Sequence, residues 1–420
     1  MNLIEKILAR ASGKPAVAPG DVVVAEVDTV IFHDLSLYLT GRTFEQEVKG
    51  QRILHPERVV IVFDHFFAPA TEEGARILQA NREFARRHGL PHLFDSGTGN
   101  CHYTAIQHGF IRPGAVVVGS DSHTPVHGGL GAFATGIGNN SIAALTLPYG
   151  TAWFRVPPTI KLLLQGSLAR GVTARDVAQY LVGRLGEDWA GYKAIEYAGD
   201  LLPRLDVEER LLFPLMCIDM DAKAGYIEPD EAVAAYIRQR TAQSFELVRN
   251  DPDAVYESVQ AFDVGEVEPQ VACPPTVGHV KPVTAVAGEP IQYAEVGGTP
   301  GGRLGDLRRL ARVLDGRRVH PDVRLQVVPV TREVFRQALD EGIIAVLHDA
   351  GANIFPASSG SNQSTNMGAL TAGQAMISTH TRNFPGRNGS PEARIFLAST
   401  YTVAASALKG RIADPREFLE

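Results

Sequence analysis

Apolar positions along the chain follow two rhythms. Val59 to Phe63 is an unbroken apolar run of strand length, whereas Thr71 to His88 spaces its apolar residues helically and closes on Gly89. The run predicts a strand buried on both faces, and the stretch behind it predicts a crossover helix. Ala115 to Val118 repeats the strand signal. From Thr173, with Asp176 as a capping-box partner, Val177, Leu181 and Leu185 recur at spacing four before Gly186, which predicts another helix. Short β-branched runs alternate with amphipathic stretches throughout, so the expected class is α/β with parallel strands. Proline clusters break both rhythms at Val156-Pro157-Pro158 and in the segment Val267 to Pro282. They predict three α/β/α domains, residues 1–156, 157–270 and 271–420. No short-period repeat or low-complexity segment is present, which argues against a solenoid or a disordered chain.

Composition narrows the partners. The 420 residues carry 40 Lys+Arg against 47 Asp+Glu, a formal charge of -7. That balance disfavours nucleic acid, whose phosphates are gripped by clustered positive charge. Three cysteines, Cys101, Cys217 and Cys273, are far apart and form no CxxC pair. They are too few for a disulfide scaffold, so a reducing, cytoplasmic setting is expected. The first residues, MNLIEKILARASGKP, interrupt their apolar positions with charge, and no window reaches the length of a membrane span. Neither export nor a membrane partner is expected.

Histidine is concentrated. Seven of 13 fall between positions 65 and 127, and three of these follow an apolar run or a glycine beside an acid or a thiol. They are Asp64-His65 after VVIVF, Cys101-His102 after GTGN, and Asp121-Ser122-His123 after AVVVGS. Read as strand ends, these places suit ligand binding, and a carboxylate beside imidazole suits proton transfer near neutral pH. The glycines at 128, 129, 131, 136 and 138 permit close backbone approach, but they match neither a dinucleotide nor a P-loop pattern. Near the carboxyl end, STHTRNFPGRNGS holds Arg382 and Arg387 in a turn-rich segment. Arginine forks match carboxylates, although a solvated surface pair has the same spacing. The residues by themselves therefore point to an acid/base site for a small anion.

The segments PGDVVVAEVD, PGAVVVGSDSHTPVHGGLGAFATGIG, VTARDVAQYLVGRLG, AGYIEPDEA and STHTRNFPGRNG together resemble the aconitase superfamily. The likeness is greatest to the short large subunits of 3-isopropylmalate dehydratase and homoaconitase, spans nearly the whole chain, and rests most specifically on DSHT and RNFxGR. It implies the three-domain fold of those subunits and the reversible removal of water from a hydroxy acid. By motif, Asp64 and His65 resemble the pair that protonates the leaving hydroxyl, and His102, Asp121 and His123 resemble groups lining that oxygen's site. Asp219 stands in the slot of a glutamate. Arg382 and Arg387 resemble a carboxylate clamp, with Ser122 as a further substrate contact.

The family also carries a [4Fe-4S] cluster on three cysteines. Here the first position is Thr299, within GTPGGRLGDL, and the others are Ser358 and Ser361, within PASSGSNQ. Hydroxyls are poor cluster ligands, so no [4Fe-4S] group is expected. A mononuclear divalent metal on His65, His102, Asp121 and His123 is the alternative to a metal-free pocket. The resemblance further implies a separate small subunit of roughly 160 to 200 residues, bringing the serine that deprotonates carbon. The expectation is a hydro-lyase or isomerase acting on a small hydroxy di- or tricarboxylic acid. A catalytically silent binding or regulatory subunit of the same fold is the competing reading.

Overall fold

The computed structural model describes residues 1–138 and 141–419. The strands, in chain order, are β1 (Val22–Glu26), β2 (Thr29–His33), β3 (Val59–Val62), β4 (His92–Phe94), β5 (Val116–Gly119), β6 (Phe133–Gly136) and β7 (Thr151–Arg155). There follow β8 (Thr159–Gln165), β9 (Ala194–Ala198), β10 (Ala224–Ile227) and β11 (Ser258–Asp263). The last group is β12 (Gln270–Ala272), β13 (Val280–Pro282), β14 (Tyr293–Val296), β15 (Arg324–Val327), β16 (Asn353–Ile354), β17 (Ala375–Ser378) and β18 (Arg394–Ala398). Strands β2 to β6 form a parallel sheet in the order β4-β3-β2-β5-β6. A second parallel sheet runs β10-β9-β8-β11. The third runs β13-β12-β18-β17-β14-β15-β16, antiparallel only at β12. β1 and β7 pair as a separate antiparallel ribbon.

The apolar runs became the interior strands for the reason their pattern indicated. All four residues of β3 and of β5 are buried, as helices covering both faces of a parallel sheet require. The crossover after β3 is the helix Glu72–Arg87, opened by the Thr71 side chain accepting from Gly74 N. In the helix Ala174–Leu185, Asp176 accepts from both N and Oγ1 of Thr173, and its other oxygen accepts from Gln270 N, tying the helix to β12. The proline-rich segment 267–282 is more than a connector: it supplies β12 and β13. Its prolines fall at a strand end and in the turn, where a missing N–H costs no ladder bond.

One continuous core joins the first two sheets, bringing Val60, Val62 and Val117 together with Leu162, Ile195 and Phe213. Gly128 makes this close approach possible, since a Cβ there would stand 1.8 Å from Gly225 O of β10. The third sheet has its own core around Val296, Leu307, Leu310, Leu325 and Val403. It is fastened to the first by Asn100 N donating to Val330 O and by an antiparallel bridge between Gly99 and Thr331. Each such core side chain stabilises the fold by about 1.5–3 kcal/mol. Among the described residues no helix is long and apolar enough to cross a membrane.

In each parallel sheet the winding reverses once. The chain leaves β2 toward β3 and β4 and returns on the other side at β5; likewise it leaves β14 toward β15 and β16 and returns at β17. Crevices open at the carboxyl ends of such paired strands.

Candidate functional site

The β2/β5 crevice gathers Asp34, Asp64, His65 and Asp121. Asp64 and His65 leave β3, and the fully buried Asp64 carboxylate reaches His65 Nδ1 at 2.7 Å through Oδ1. Its Oδ2 accepts from Cys101 N at 2.7 Å and Ser359 Oγ at 2.6 Å. Asp34, just past β2, accepts from the backbone N–H groups of His65 and Phe66, which fixes where the imidazole starts. The His33 ring stacks on His65 with centroids 3.9 Å apart. Burial alone would drive a proton off His65. The carboxylates of Asp64, then Asp34 and Asp121, reverse this and raise its pKa to about 9. Asp64 is correspondingly held below the usual carboxylate range, against its own burial, by the charge of and hydrogen bond from His65.

Asp121 is the hub of the other half. Its Oδ1 meets His102 Nε2 at 3.0 Å, accepts from His123 N at 2.8 Å and lies 3.3 Å from His123 Nδ1. Burial opposes ionisation, yet the two histidines keep this carboxyl well below its ordinary value. His123 is shifted down by burial and then by the nearby Arg382 charge. Ser122 lies 3.4 Å from His123 Nδ1 and lines a cavity of about 400 Å³ with Thr135, Gly136 and Lys223. Of the three sequence clusters, Asp64-His65 and Asp121-Ser122-His123 do follow strands. Cys101-His102 does not: it opens the helix Cys101–Gln107, capped by Asn100 Oδ1 accepting from His102 N and Tyr103 N. The asparagine before the thiol, a strong N-cap type, was the available sign.

The third sheet reaches across with its arginines. Arg382 pairs with Asp219, whose side chain is 1% exposed, and the two line a cleft of about 350 Å³ with Thr276, Asn383 and Phe384. Arg387 bonds to Asn362 Oδ1. Burial and the neighbouring Arg382 push Arg387 down to about 10, with Asp121 acting in the opposite sense. The pair is thus not a solvated surface feature, since burial and shared neighbours couple it to the acid/base groups. Asn362 Nδ2 also lies 2.7 Å from His65 Nε2, so a single amide spans the proton-bearing imidazole and the guanidinium. Asn362, Ser359 and His33 were not expected from the sequence. His33 had a legible signal, since it ends the apolar run VIF as His65 ends VVIVF. Asn362 had none, because His65 is 297 residues away in sequence and Arg387 is 25.

The expected four-ligand metal set does not form. Ligand atoms of His33, His65 and Asp121 lie within 4.8 Å of one another, and His102 and His123 are outside this group, the only one of its kind among the described residues. They bind Asp121 as hydrogen-bond partners instead. Thr299, Ser358 and Ser361 are all buried, but hydroxyls do not suit an iron-sulfur cluster. Ser358 Oγ donates to Pro356 O and accepts from Gly360 N; Ser361 Oγ is shared by His380 Nε2 and Asn388 Nδ2. The three thiols are buried in separate surroundings. Cys101 heads its helix, Cys217 lies against Gly225, and Cys273 Sγ faces Val271 O. None joins a group able to hold a metal among the described residues.

The sequence pattern of the Aconitase family (aconitate hydratase) matches residues 21–290 and 279–410. The chain belongs to the aconitase family. It is 43% identical to 3-isopropylmalate dehydratase large subunit 1 of Methanopyrus kandleri, over 100% of this chain and 99% of that one. It is 42% identical to the probable 3-isopropylmalate dehydratase large subunit of Methanothermobacter thermautotrophicus, over 99% of each. A probable methanogen homoaconitase large subunit from the same organism is 40% identical, over 99% of this chain and 98% of the relative. Membership of the aconitase family makes this chain a carbon–oxygen hydro-lyase.

Proposed function

We propose that this chain is the large subunit of a two-subunit hydro-lyase that dehydrates and rehydrates a small hydroxy di- or tricarboxylic acid without a [4Fe-4S] cluster. One observation carries the reading: His65, loaded with a proton by Asp64, Asp34 and Asp121, shares Asn362 with Arg387. A group that donates a proton and a group that grips a carboxylate are thereby held by one amide. Arg382 and Arg387 bind the substrate carboxylates, with Ser122 beside them, and His65 protonates the departing hydroxyl. His102 and His123, turned toward Asp121, line the space for that oxygen. Asp219 holds Arg382 in place. A positioned acid contributes typically 10²–10⁴-fold. The second proton, on carbon, leaves to a base from a separate small subunit, which the relatives' designation as large subunits supports.

An iron-sulfur cluster would supply a Lewis acid for the substrate hydroxyl, and its thiolate ligands would have to stand at Thr299, Ser358 and Ser361. The hydroxyls at these positions support a cluster-free site, with those of Ser358 and Ser361 already bonded to Pro356 O and His380 Nε2. The three-atom group of His33, His65 and Asp121 supports a second reading, a divalent ion. Against it, both His65 nitrogens are engaged, Nδ1 by Asp64 and Nε2 by Asn362. The test is anaerobic co-expression with the small subunit, analysis for metal and sulfide, and assay with citrate, malate and 3-isopropylmalate. Turnover without stoichiometric iron, sulfide or chelatable metal is expected. Binding without turnover would favour the silent-subunit reading, and a full cubane complement would overturn the cluster-free one.

A further inference from the structure

The β14/β17 crevice holds a second built pair that none of the roles above uses. Glu295, in β14, is 0% exposed, and His380 lies just beyond β17 on the adjacent parallel strand. His380 Nε2 lies 2.8 Å from Glu295 Oε1 and 3.2 Å from Ser361 Oγ. Ser361 N donates to the same Glu295 oxygen at 3.0 Å. Two left-handed glycines are shaped around the pair. A Cβ on Gly298 would stand 2.6 Å from His380 Nδ1, and one on Gly360 would stand 2.3 Å from Glu295 Oε1. Two polar ends are left over. Among the described residues, Glu295 Oε2 is buried without a hydrogen-bond partner, and the bonds of the His380 ring are all made through Nε2, leaving Nδ1 on a side chain that is 13% exposed.

A buried ionised carboxylate needs a counter-charge, and His380 is the group hydrogen-bonded to it that can supply one. The Glu295 carboxyl is held down, against burial, by that histidine. Ser361 is two residues from Ser359, which donates to Asp64, and adjoins Asn362, which spans His65 and Arg387. Two extended residues reach at most about 7 Å, so the pair stands within one loop turn of the acid. We propose that Glu295 and His380 form a substrate-binding dyad whose imidazole donates a hydrogen bond to the hydroxyl oxygen of the hydroxy acid. This opposes the charge that builds on the oxygen as the C–O bond lengthens. Preorganised donors aimed at a developing charge are worth typically 10²–10³-fold in kcat. The proposal rests on the hydro-lyase reading above and adds where the leaving oxygen is held.

The test compares hydroxy acids with their deoxy partners by calorimetry on the full chain: malate with succinate, citrate with tricarballylate, 3-isopropylmalate with isopropylsuccinate. In His380→Gln, affinity for the best-bound hydroxy acid should fall about ten-fold while affinity for its deoxy partner stays within a factor of about two. Glu295→Gln, which keeps the ring but removes its counter-charge, should show the same selectivity with a smaller loss, and serves if the first variant folds poorly. Equal losses for both ligands would make the pair a structural strut and overturn the inference, as would no loss for either. Failure of the unmodified chain to bind any of the six acids would instead overturn the hydro-lyase reading itself.

Discussion

The β2/β5 and β14/β17 crevices share one winding but hold their charge differently. At the first, His65 is surrounded by Asp64, Asp34 and Asp121, and its stacked neighbour His33 adds a second ring. At the second, one carboxylate faces one imidazole, with a serine between them. The reversal of the middle sheet, between β8 and β11, carries neither. There Asp263 is exposed and spends Oδ1 on Gly265 N within its own turn. A crevice is therefore a place and not a site; what makes it one is a burial deep enough that polar groups must answer to each other.

The sharpest way to break the contrast is at the first crevice. His65→Asn should lower kcat by about 10²–10⁴-fold with little change in substrate affinity, measured by steady-state turnover with the small subunit present. Arg382→Gln removes the partner of a buried Asp219 and should destabilise the fold by about 3 kcal/mol, read by denaturant unfolding, while Arg387→Lys should weaken carboxylate binding roughly ten-fold without that loss. At the second crevice, Gly360→Ala forces a Cβ against Glu295 Oε1 at a left-handed φ of 68°, and should cost about 1–3 kcal/mol. A pH test reads the first crevice through stability. His65 titrates near 9 when folded against 6.5 as its reference value, so its stabilisation is complete below pH 6.5 and is lost as pH rises through 9. The thermal midpoint should drift down across that window, and Asp64→Asn should flatten the drift.

Arg387 and Asn362 show how these crevices are tied. As placed, Asn362 gives its oxygen to Arg387 and its NH2 to His65 Nε2, an arrangement that suits an imidazole with that nitrogen unprotonated. Turning the amide would serve the imidazolium favoured by the three carboxylates, but would set NH2 against the guanidinium. A substrate carboxylate on Arg387 relieves this conflict by replacing the amide oxygen. Asn362→Ala should then lower kcat more than it raises KM, which steady-state kinetics will show.

Much of this was written locally. The apolar runs at 59–63 and 115–118 became β3 and β5 because an unbroken β-branched run has to be covered on both faces, and the acids and histidines after them had to emerge at strand ends. That hydroxyls stand at Thr299, Ser358 and Ser361 is likewise a statement of sequence. Tertiary structure decided the remainder. It turned the proline-rich 267–282 segment into the edge strand β13 and its inner neighbour β12, and placed His102 on a helix. It also chose His33 over His102 and His123 as the third neighbour of His65 and Asp121. Asn362 meets His65 across 297 residues, and His380 meets Glu295 across 85. No local pattern encodes such pairs, because what joins them is the order in which parallel strands are laid side by side, and that order is fixed only when distant apolar faces pack.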